Sequence, residues 1–421
     1  MRPKDNTTQT YDVIVIGGGP AGMMSAGTAG KYRAKTLLLE KNKILGKKLL
    51  ITGGGRCNVL NGELDTRKLL SFFGNSSKHL FSPFSRFGAK DSFRFFHGRA
   101  MPTIEEENKR IFPESQKSES VLKVMEQYLS ENKVDIRYNS EVKRIIHSKN
   151  KITEIVLKNG SKFRAKNYVM ATGGNSRADT GSTGDGFIWA KDLGHDILEQ
   201  NVALVPVATK ERWSKTLSGM SFPNIKIEVK QNGITAQKKL GKVLFTHFGL
   251  SGPAVLTLSK NIGDLLEYGK VTVSLDFFPK MDLGDLDKYI MNILMQDSRK
   301  KVKNISIEGV DNRLLESLCN LAGIDSDTFS NSLTKEKRQK LVKMLKGSEL
   351  TVTGLLGLDK AVVTSGGIQL KEIDTKTMSS RIIKNLFVTG DLLDIDRPTG
   401  GYSLQLCWTT GYVAGLSASK I

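Results

Sequence analysis

Tyr11-Asp12-Val13-Ile14-Val15-Ile16-Gly17-Gly18-Gly19-Pro20-Ala21-Gly22 opens on a β-branched apolar run and closes on a glycine-rich turn. Such a run, without alternation, reads as a strand buried on both faces of a parallel sheet. Small residues from Met23 to Gly30 continue it as a helix, and Ala34 to Glu40 supplies a second buried strand. The result is one βαβ unit of about thirty residues, which sets the fold class as α/β. Gly17, Gly19 and Gly22 stand as G-x-G-x-x-G between strand and helix. Those glycines permit the tight turn, the approach of backbone to a pyrophosphate and the packing of helix on strand. Pro20 and Ala21 start the helix, whose N–H groups and positive dipole end favour phosphate. Glu40 ends the second strand, placed to accept hydrogen bonds from ribose hydroxyls.

The βαβ unit alone leaves FAD and NAD open; the other end of the chain separates them. Leu386 to Thr389 is a strand that delivers the carboxylate of Asp391, and Arg397-Pro398-Thr399-Gly400-Gly401-Tyr402 opens a closing helix that runs to Ser417. This arrangement predicts Asp391 on the ribitol hydroxyls of a flavin. It sets Gly400, Gly401 and Tyr402 at the ring edge where negative charge gathers on reduction. Ala171-Thr172-Gly173-Gly174 is the matching strand-end turn, and Thr172, Gly173, Lys41 and Val142 complete the expected cofactor contacts. With a single dinucleotide fingerprint, NAD(P)H has no fold of its own and binds transiently, or another reductant serves.

Between these ends lies Gly46-Lys47-Lys48-Leu49-Leu50-Ile51-Thr52-Gly53-Gly54-Gly55-Arg56-Cys57-Asn58. It resembles the GKKxxxTGGGRCN signature of the BaiN/RdsA-like FAD-dependent oxidoreductases. Arg110-Ile111-Phe112-Pro113, Gly181-Ser182-Thr183-Gly184-Asp185-Gly186, Leu193-Gly194-His195, Thr246-His247-Phe248-Gly249 and Thr364-Ser365-Gly366-Gly367 extend the likeness in order along the chain. Ser403, where the family usually carries Asn, and the atypical stretch Gly98 to Asn108 depart from it. The resemblance implies a discontinuous Rossmann-like FAD domain (1–195 and 366–421), an inserted β-rich domain (196–280, returning through 348–365) and a nested helical subdomain (281–347). It implies non-covalent FAD, with Gly54, Gly55, Arg56 and Asn58 lining pyrophosphate and flavin. Activities attributed within the family include reduction of carbon–carbon double bonds in steroid-like acids, amine oxidation and reduction of a ribosomal-RNA uridine to dihydrouridine. For uridine, hydride reaches one ring carbon and a proton the next. Cys57 is a candidate general acid for that proton, with burial in the core as the alternative. His247 is read as a structural histidine of the β domain or, alternatively, a proton donor.

Composition narrows the field further. At 421 residues, with 39% hydrophobic and 25% charged, the chain is globular. Three cysteines without ligand-like spacing argue against a disulfide framework or a metal site and fit a reducing cytoplasm. Arg2 and Lys4 before the uncharged run Val13 to Gly30 imitate a signal peptide, but Gly17 to Pro20 would break such a helix, so no membrane association is expected. Lys+Arg 63 against Asp+Glu 43 gives a net +20, which suits a polyanionic partner. Two basic stretches lie at Arg299 to Lys303 and Lys335 to Lys346. In residues 67–99, seven bases and eight phenylalanines stand with Asp91 alone. Phe81, Phe84 and Phe87 have the spacing of a buried helical stripe, with the bases outside. The resulting expectation is an FAD enzyme reducing an activated C=C bond with NAD(P)H, on a uridine in large-subunit ribosomal RNA; the alternative substrate is a small metabolite.

Overall fold

The computed structural model describes residues 9–198, 202–266, 268–325, 327–356, 363–364 and 366–420. The chain forms two compact units, 1–201 with 362–421, and 202–361. Arg2, Lys4 and Ser365 lie outside the described residues.

The first unit is built on a nine-stranded sheet. β1 (Gln9–Ile16) pairs in parallel with β2 (Thr36–Leu39) on one side and with Lys162–Met170 on the other. Beyond β2 lies Asp135–Arg137, and beyond Lys162–Met170 lies Leu386–Val388, also parallel. The strand from the far end of the chain therefore sits two places from β1, with Lys162–Met170 between them. Val142–Ser148 and Lys151–Leu157 form an antiparallel meander, turning into Lys162–Met170 at Gly160, whose φ is +87°. The unalternating strands are buried on both faces: Val13, Ile14, Val15, Leu37 and Leu38 have no exposed surface.

Two helices cover the sheet at the nucleotide end. α1 spans Pro20–Lys31, starting three residues before the expected Met23 because proline suits the first helical turn. The closing helix, Tyr402–Ala418, packs directly on it. A Cβ on Gly411 would lie 2.5 Å from the carbonyl oxygen of Ala21, and one on Gly415 would lie 2.2 Å from that of Ser25. The helices meet backbone to backbone, and only glycine allows that approach. Trp408, fully buried, donates from Nε1 to the carbonyl of Val59 at 2.9 Å.

The Leu193-Gly194-His195 motif has a structural role here. His195 is 3% exposed; its Nδ1 lies 2.8 Å from Glu372 Oε2, and its Nε2 lies 2.9 Å from Ser380 Oγ. The order Ser–His–Glu imitates a hydrolytic triad, but Ser380 is buried and its Oγ accepts from the N–H groups of Ile382 and Ile383. The chain of bonds fastens the segment at 372–383 to the end of the helix Asp185–Asp192. His195→Ala leaves buried polar partners unmade and is expected to lower stability by about 1–3 kcal/mol. An unchanged denaturant midpoint would show that the fastening contributes nothing.

The second unit contains the expected antiparallel β region as a closed six-stranded barrel. Around it run Val207–Thr209, Gly249–Ser251, Ile234–Thr246, Ser221–Gln231, Val271–Asp276 and Ser348–Leu355. The helices Arg212–Thr216 and Pro253–Leu266 lie between these strands. Helices Leu283–Gln296, Asn312–Leu321 and Lys335–Gly347 follow before the last strand of the barrel. A Rossmann-type α/β unit with a separate β-barrel and helices is thus the fold, as the sequence indicated.

Candidate functional site

The turn after β1 is held from three sides. Gly17 donates to the Leu39 carbonyl at 2.8 Å, Gly46 donates to that of Gly18 at 2.9 Å, and Gly18 donates to Glu40 Oε2 at 2.7 Å. Glu40, 6% exposed, also accepts from the backbone and side-chain nitrogens of Asn42 through Oε1, both at 2.7 Å. Three donors occupy a carboxylate with about four acceptor sites, so Glu40 fixes the turn and keeps one acceptor position. The N-terminus of α1 carries no side-chain cap and no acidic residue in its first turn. Its unmade N–H groups and dipole face a cleft of about 860 Å³, counting the solvent at its mouth.

Of the expected contacts, Gly17, Gly19, Pro20, Ala21, Glu40, Lys41, Val142, Thr172, Gly173 and Asp391 line this cleft. Gly22 sits behind it, packed on the Gly17 carbonyl. The cleft fits a dinucleotide at its glycine turn. A Cβ on Gly19 would meet nothing within 4 Å, so the backbone there is open to a close ligand. Thr172 lines the cleft, but its Oγ1 packs on Gly186, whose would-be Cβ would lie 2.0 Å from it.

Asp391 faces the far end of the cleft. Lys48 Nζ lies 3.0 Å from its Oδ2, and the guanidinium of Arg397 donates to its Oδ1. Burial would raise this carboxyl, but the two cations outweigh it and hold the group down at about 2. Lys41 binds Thr183 Oγ1 at 2.6 Å and Asp185 Oδ2 at 2.8 Å. Burial acts to raise Asp185, yet Lys41 and Thr183 hold it below the usual carboxylate range. Lys48, Asn42 and Asp185 were not singled out from the sequence, although the paired lysines after Gly46 and the Gly184-Asp185 helix start were visible signals.

The Thr52–Asn58 loop lies beside the cleft lining rather than in it. Arg56 is not in the cleft: it makes a two-pronged pair with Glu106 at 2.8 and 3.0 Å and lies 4.0 Å above the Phe112 ring. Its charge is met by a carboxylate rather than turned to a phosphate. Gly54 and Gly55, with φ of +67° and +85°, shape the loop without lining the cleft. Asn58 joins the loop to the closing helix, its amide oxygen accepting from the Gly401 N–H at 3.0 Å, while Asn61 donates to the Gly400 carbonyl at 3.0 Å. Gly400, Gly401, Tyr402 and Asn58 thus come together beside one another, outside the cleft lining. Tyr402 is 7% exposed, and burial, with Glu63 second, pushes its phenol up to about 12.

Cys57 lies in the core, the alternative that the sequence left open. The residue has no exposed surface and belongs to the apolar core, and burial pushes its thiol up to about 12. A thiol that nothing can touch and that holds its proton this firmly is poorly placed as a general acid. Cys57→Ala is expected to keep turnover within a few-fold of the parent, whereas loss of a general acid removes about 10²–10⁴-fold. A loss of that size, with flavin content intact, would return the proton to Cys57. His247, read as interior, is exposed at the turn before Gly249. Among the described residues no cluster of His, Cys, Asp and Glu could hold a metal ion, and no helix is long and apolar enough to cross a membrane.

A Rossmann unit whose glycine turn, acidic strand end and distant C-terminal carboxylate share one cleft defines an FAD-binding oxidoreductase. The chain belongs to the HI0933-like protein Rossmann domain family, whose model matches residues 11–417. It is 28% identical over 409 residues to the 3-dehydro-bile acid delta(4,6)-reductase of Clostridium scindens, covering 96% of this chain and 98% of that protein. It is 27% identical over 419 residues to the ribosomal RNA dihydrouridine synthase of Haemophilus influenzae, covering 98% and 100%. Among solved structures it resembles a flavocytochrome c3 fumarate reductase (TM-score 0.55, 16% identity, 98% of this chain and 78% of the other). It also resembles the 3-ketosteroid-delta4-(5alpha)-dehydrogenase of Rhodococcus jostii (TM-score 0.53, 14% identity, 100% of both).

Proposed function

We propose that this enzyme reduces the activated C=C bond of a uridine in large-subunit ribosomal RNA to dihydrouridine, in the cytoplasm, with NAD(P)H as the electron donor. Two near-full-length relatives act, by their names, on a bile acid and on ribosomal RNA, and their identities of 28% and 27% do not choose between them. The observation that carries the choice is charge: a chain at net +20 attracts a polyanion far more strongly than a small monoanionic acid. In this reading the α1 N-terminus and Gly19 take the pyrophosphate, Glu40 the adenosine ribose, and Asp391 the ribitol chain. Lys48 and Arg397 keep Asp391 ionised and aimed. Asn58 fixes the Gly400–Tyr402 turn at the flavin edge, and Gly54, Gly55 and Arg56 build the loop behind it. FAD supplies hydride transfer when bound; the net reaction adds one hydride and one proton to the double bond and oxidises one NAD(P)H. The domain limits expected from the sequence, 196–280 and 281–347 within a discontinuous flavin domain, form part of the proposal.

The test is direct. FAD-loaded protein with NADH or NADPH is incubated with an unmodified large-subunit ribosomal RNA transcript, and nucleosides are read by mass spectrometry. Dihydrouridine, dependent on reductant, is the expected product. Its absence under enzyme excess, together with turnover of a 3-oxo-4-ene steroid acid, would establish the small-metabolite reading that the bile-acid reductase likeness favours.

A further inference from the structure

Three basic regions could meet an RNA, and their side chains are not equally available. Of the stretch after Arg299, Lys300 pairs with Asp297, and Lys301 and Lys303 both lie on Asp327. In the helix Lys335–Gly347, Arg338 is bound to Asp287, Lys340 to Glu336 and Lys346 to Asp276, and the helix carries no aromatic residue. Beyond α2 (Lys47–Leu50), the region of α3 (Thr66–Ser71) and α4 (Ser77–Arg86) differs in both respects. Among the described residues none of Arg67, Lys68, Lys78, Arg86 and Lys90 makes an ion pair, and all are exposed.

The acids nearby are already engaged. Asp65 caps α3 through the N–H groups of Arg67 and Lys68, and Glu63 holds Lys109 at 2.7 Å. Asp91 accepts from the Gly88 N–H at 2.9 Å. The phenylalanines divide as well. Phe73, Phe84, Phe87 and Phe96 are core, but Phe72 is 49% and Phe81 45% exposed, so Phe81 leaves the expected buried stripe. Phe72 is fixed in place, its ring centroid 5.1 Å from that of Tyr402 at the start of the closing helix. Exposed rings next to unpaired cations are the two elements that bind single-stranded nucleic acid: bases stack on the rings, and phosphates meet the charges.

We propose that the outer face of α3 and α4 is the track for an unpaired segment of the RNA substrate, with bases on Phe72 and Phe81 and phosphates on Arg67, Lys68, Lys78 and Arg86. The track rests on the RNA reading above and refines it, because Phe72 leads by ring contact to Tyr402 and the Gly400–Gly401 turn.

The probe is a fluorescent single-stranded ribosomal RNA oligonucleotide, titrated by anisotropy across a salt series, with flavin absorbance and circular dichroism recorded for each variant. Phe72→Leu and Phe81→Leu keep apolar bulk and are each expected to weaken binding about 5- to 150-fold, the loss of one stacked base. Arg67→Glu with Lys68→Glu is expected to flatten the slope of log K against log[salt] by about 1.4, two single-strand phosphates at about 0.7 each. Lys337→Glu with Lys343→Glu, in the second unit, is expected to change neither. Wild-type-like binding by the ring variants, with the slope lost instead in the Lys337/Lys343 variant, overturns the track while dihydrouridine formation keeps the RNA reading. If the parent protein binds this RNA no better than heparin and forms no dihydrouridine, the RNA reading falls and the track with it.

Discussion

Gly22→Ala is expected to purify colourless. A Cβ at this position would lie 1.8 Å from the Gly17 carbonyl oxygen and 3.2 Å from the Ala171 side chain. The carbonyl cannot retreat: Gly17 is itself at φ +104°, donates to Leu39, and leaves only 2.5 Å between its own would-be Cβ and the Ala171 oxygen. The helix must move instead, and with it the N–H groups that face the cleft. A displacement of about 1 Å at such a site is enough to lose about 10²-fold. FAD affinity should fall by at least that factor, read by titrating the apoprotein with FAD. Gly19→Ala is the informative partner, since its methyl would meet no protein atom and its φ of −78° suits alanine. That variant should keep its thermal midpoint yet lose FAD, because the methyl occupies the approach of the pyrophosphate. A yellow Gly22→Ala protein with parental affinity would remove the turn from the cofactor site.

Much of this was legible because the signals were local. The βαβ unit, Glu40 and the final strand and helix each announce themselves within about ten residues through period and turn chemistry. The pairing of Leu386–Val388 beside Lys162–Met170 follows from the parallel pattern once both strands are seen. What sequence missed depends on partners distant in the chain. Arg56 reads as a phosphate ligand until Glu106, fifty positions on, takes its charge. Lys48 stands in the Gly46–Asn58 signature with no partner in view until Asp391 meets it across 343 positions. For Cys57 the sequence leaves general acid and core packing open, and its burial depends on a core assembled from distant segments. Phe81 failed in the opposite direction: its helical spacing fits the stripe, but Pro83 lies inside α4 and Phe81 faces out. Spacing describes a regular helix, and this one is short and interrupted.

Arg397→Met is expected to be the most destabilising single change at the site, by about 3–5 kcal/mol at neutral pH, because it removes a partner from a buried carboxylate. Arg397 has 2% of its side chain exposed and Asp391 12%. The pH dependence supplies the signature. In the parent protein Asp391 titrates at about 2 against an ordinary 3.8. A carboxyl lowered on folding contributes stability above its unfolded value and loses it as pH falls through the folded one. Parental stability should therefore drop by about 2 kcal/mol between about pH 4 and pH 2 from this group. In Arg397→Met, burial acts with only Lys48 opposing it, so Asp391 titrates higher and the variant recovers part of its deficit as acid neutralises the carboxyl. Urea unfolding from pH 2 to pH 8 reads both curves. Asp391→Asn removes the charge, so adding Arg397→Met to it should cost far less than adding Arg397→Met to the parent, and the difference measures the pair. Equal costs in the two backgrounds would show that Arg397 acts through packing and its bond to the Ile395 carbonyl alone. Asp391→Asn also separates stability from ligand binding. It keeps a side chain of the same shape in the cleft but replaces one acceptor oxygen by a donor. FAD retention should then weaken about 5- to 150-fold even where the fold is intact, the range of one unmade buried hydrogen bond at about 1–3 kcal/mol.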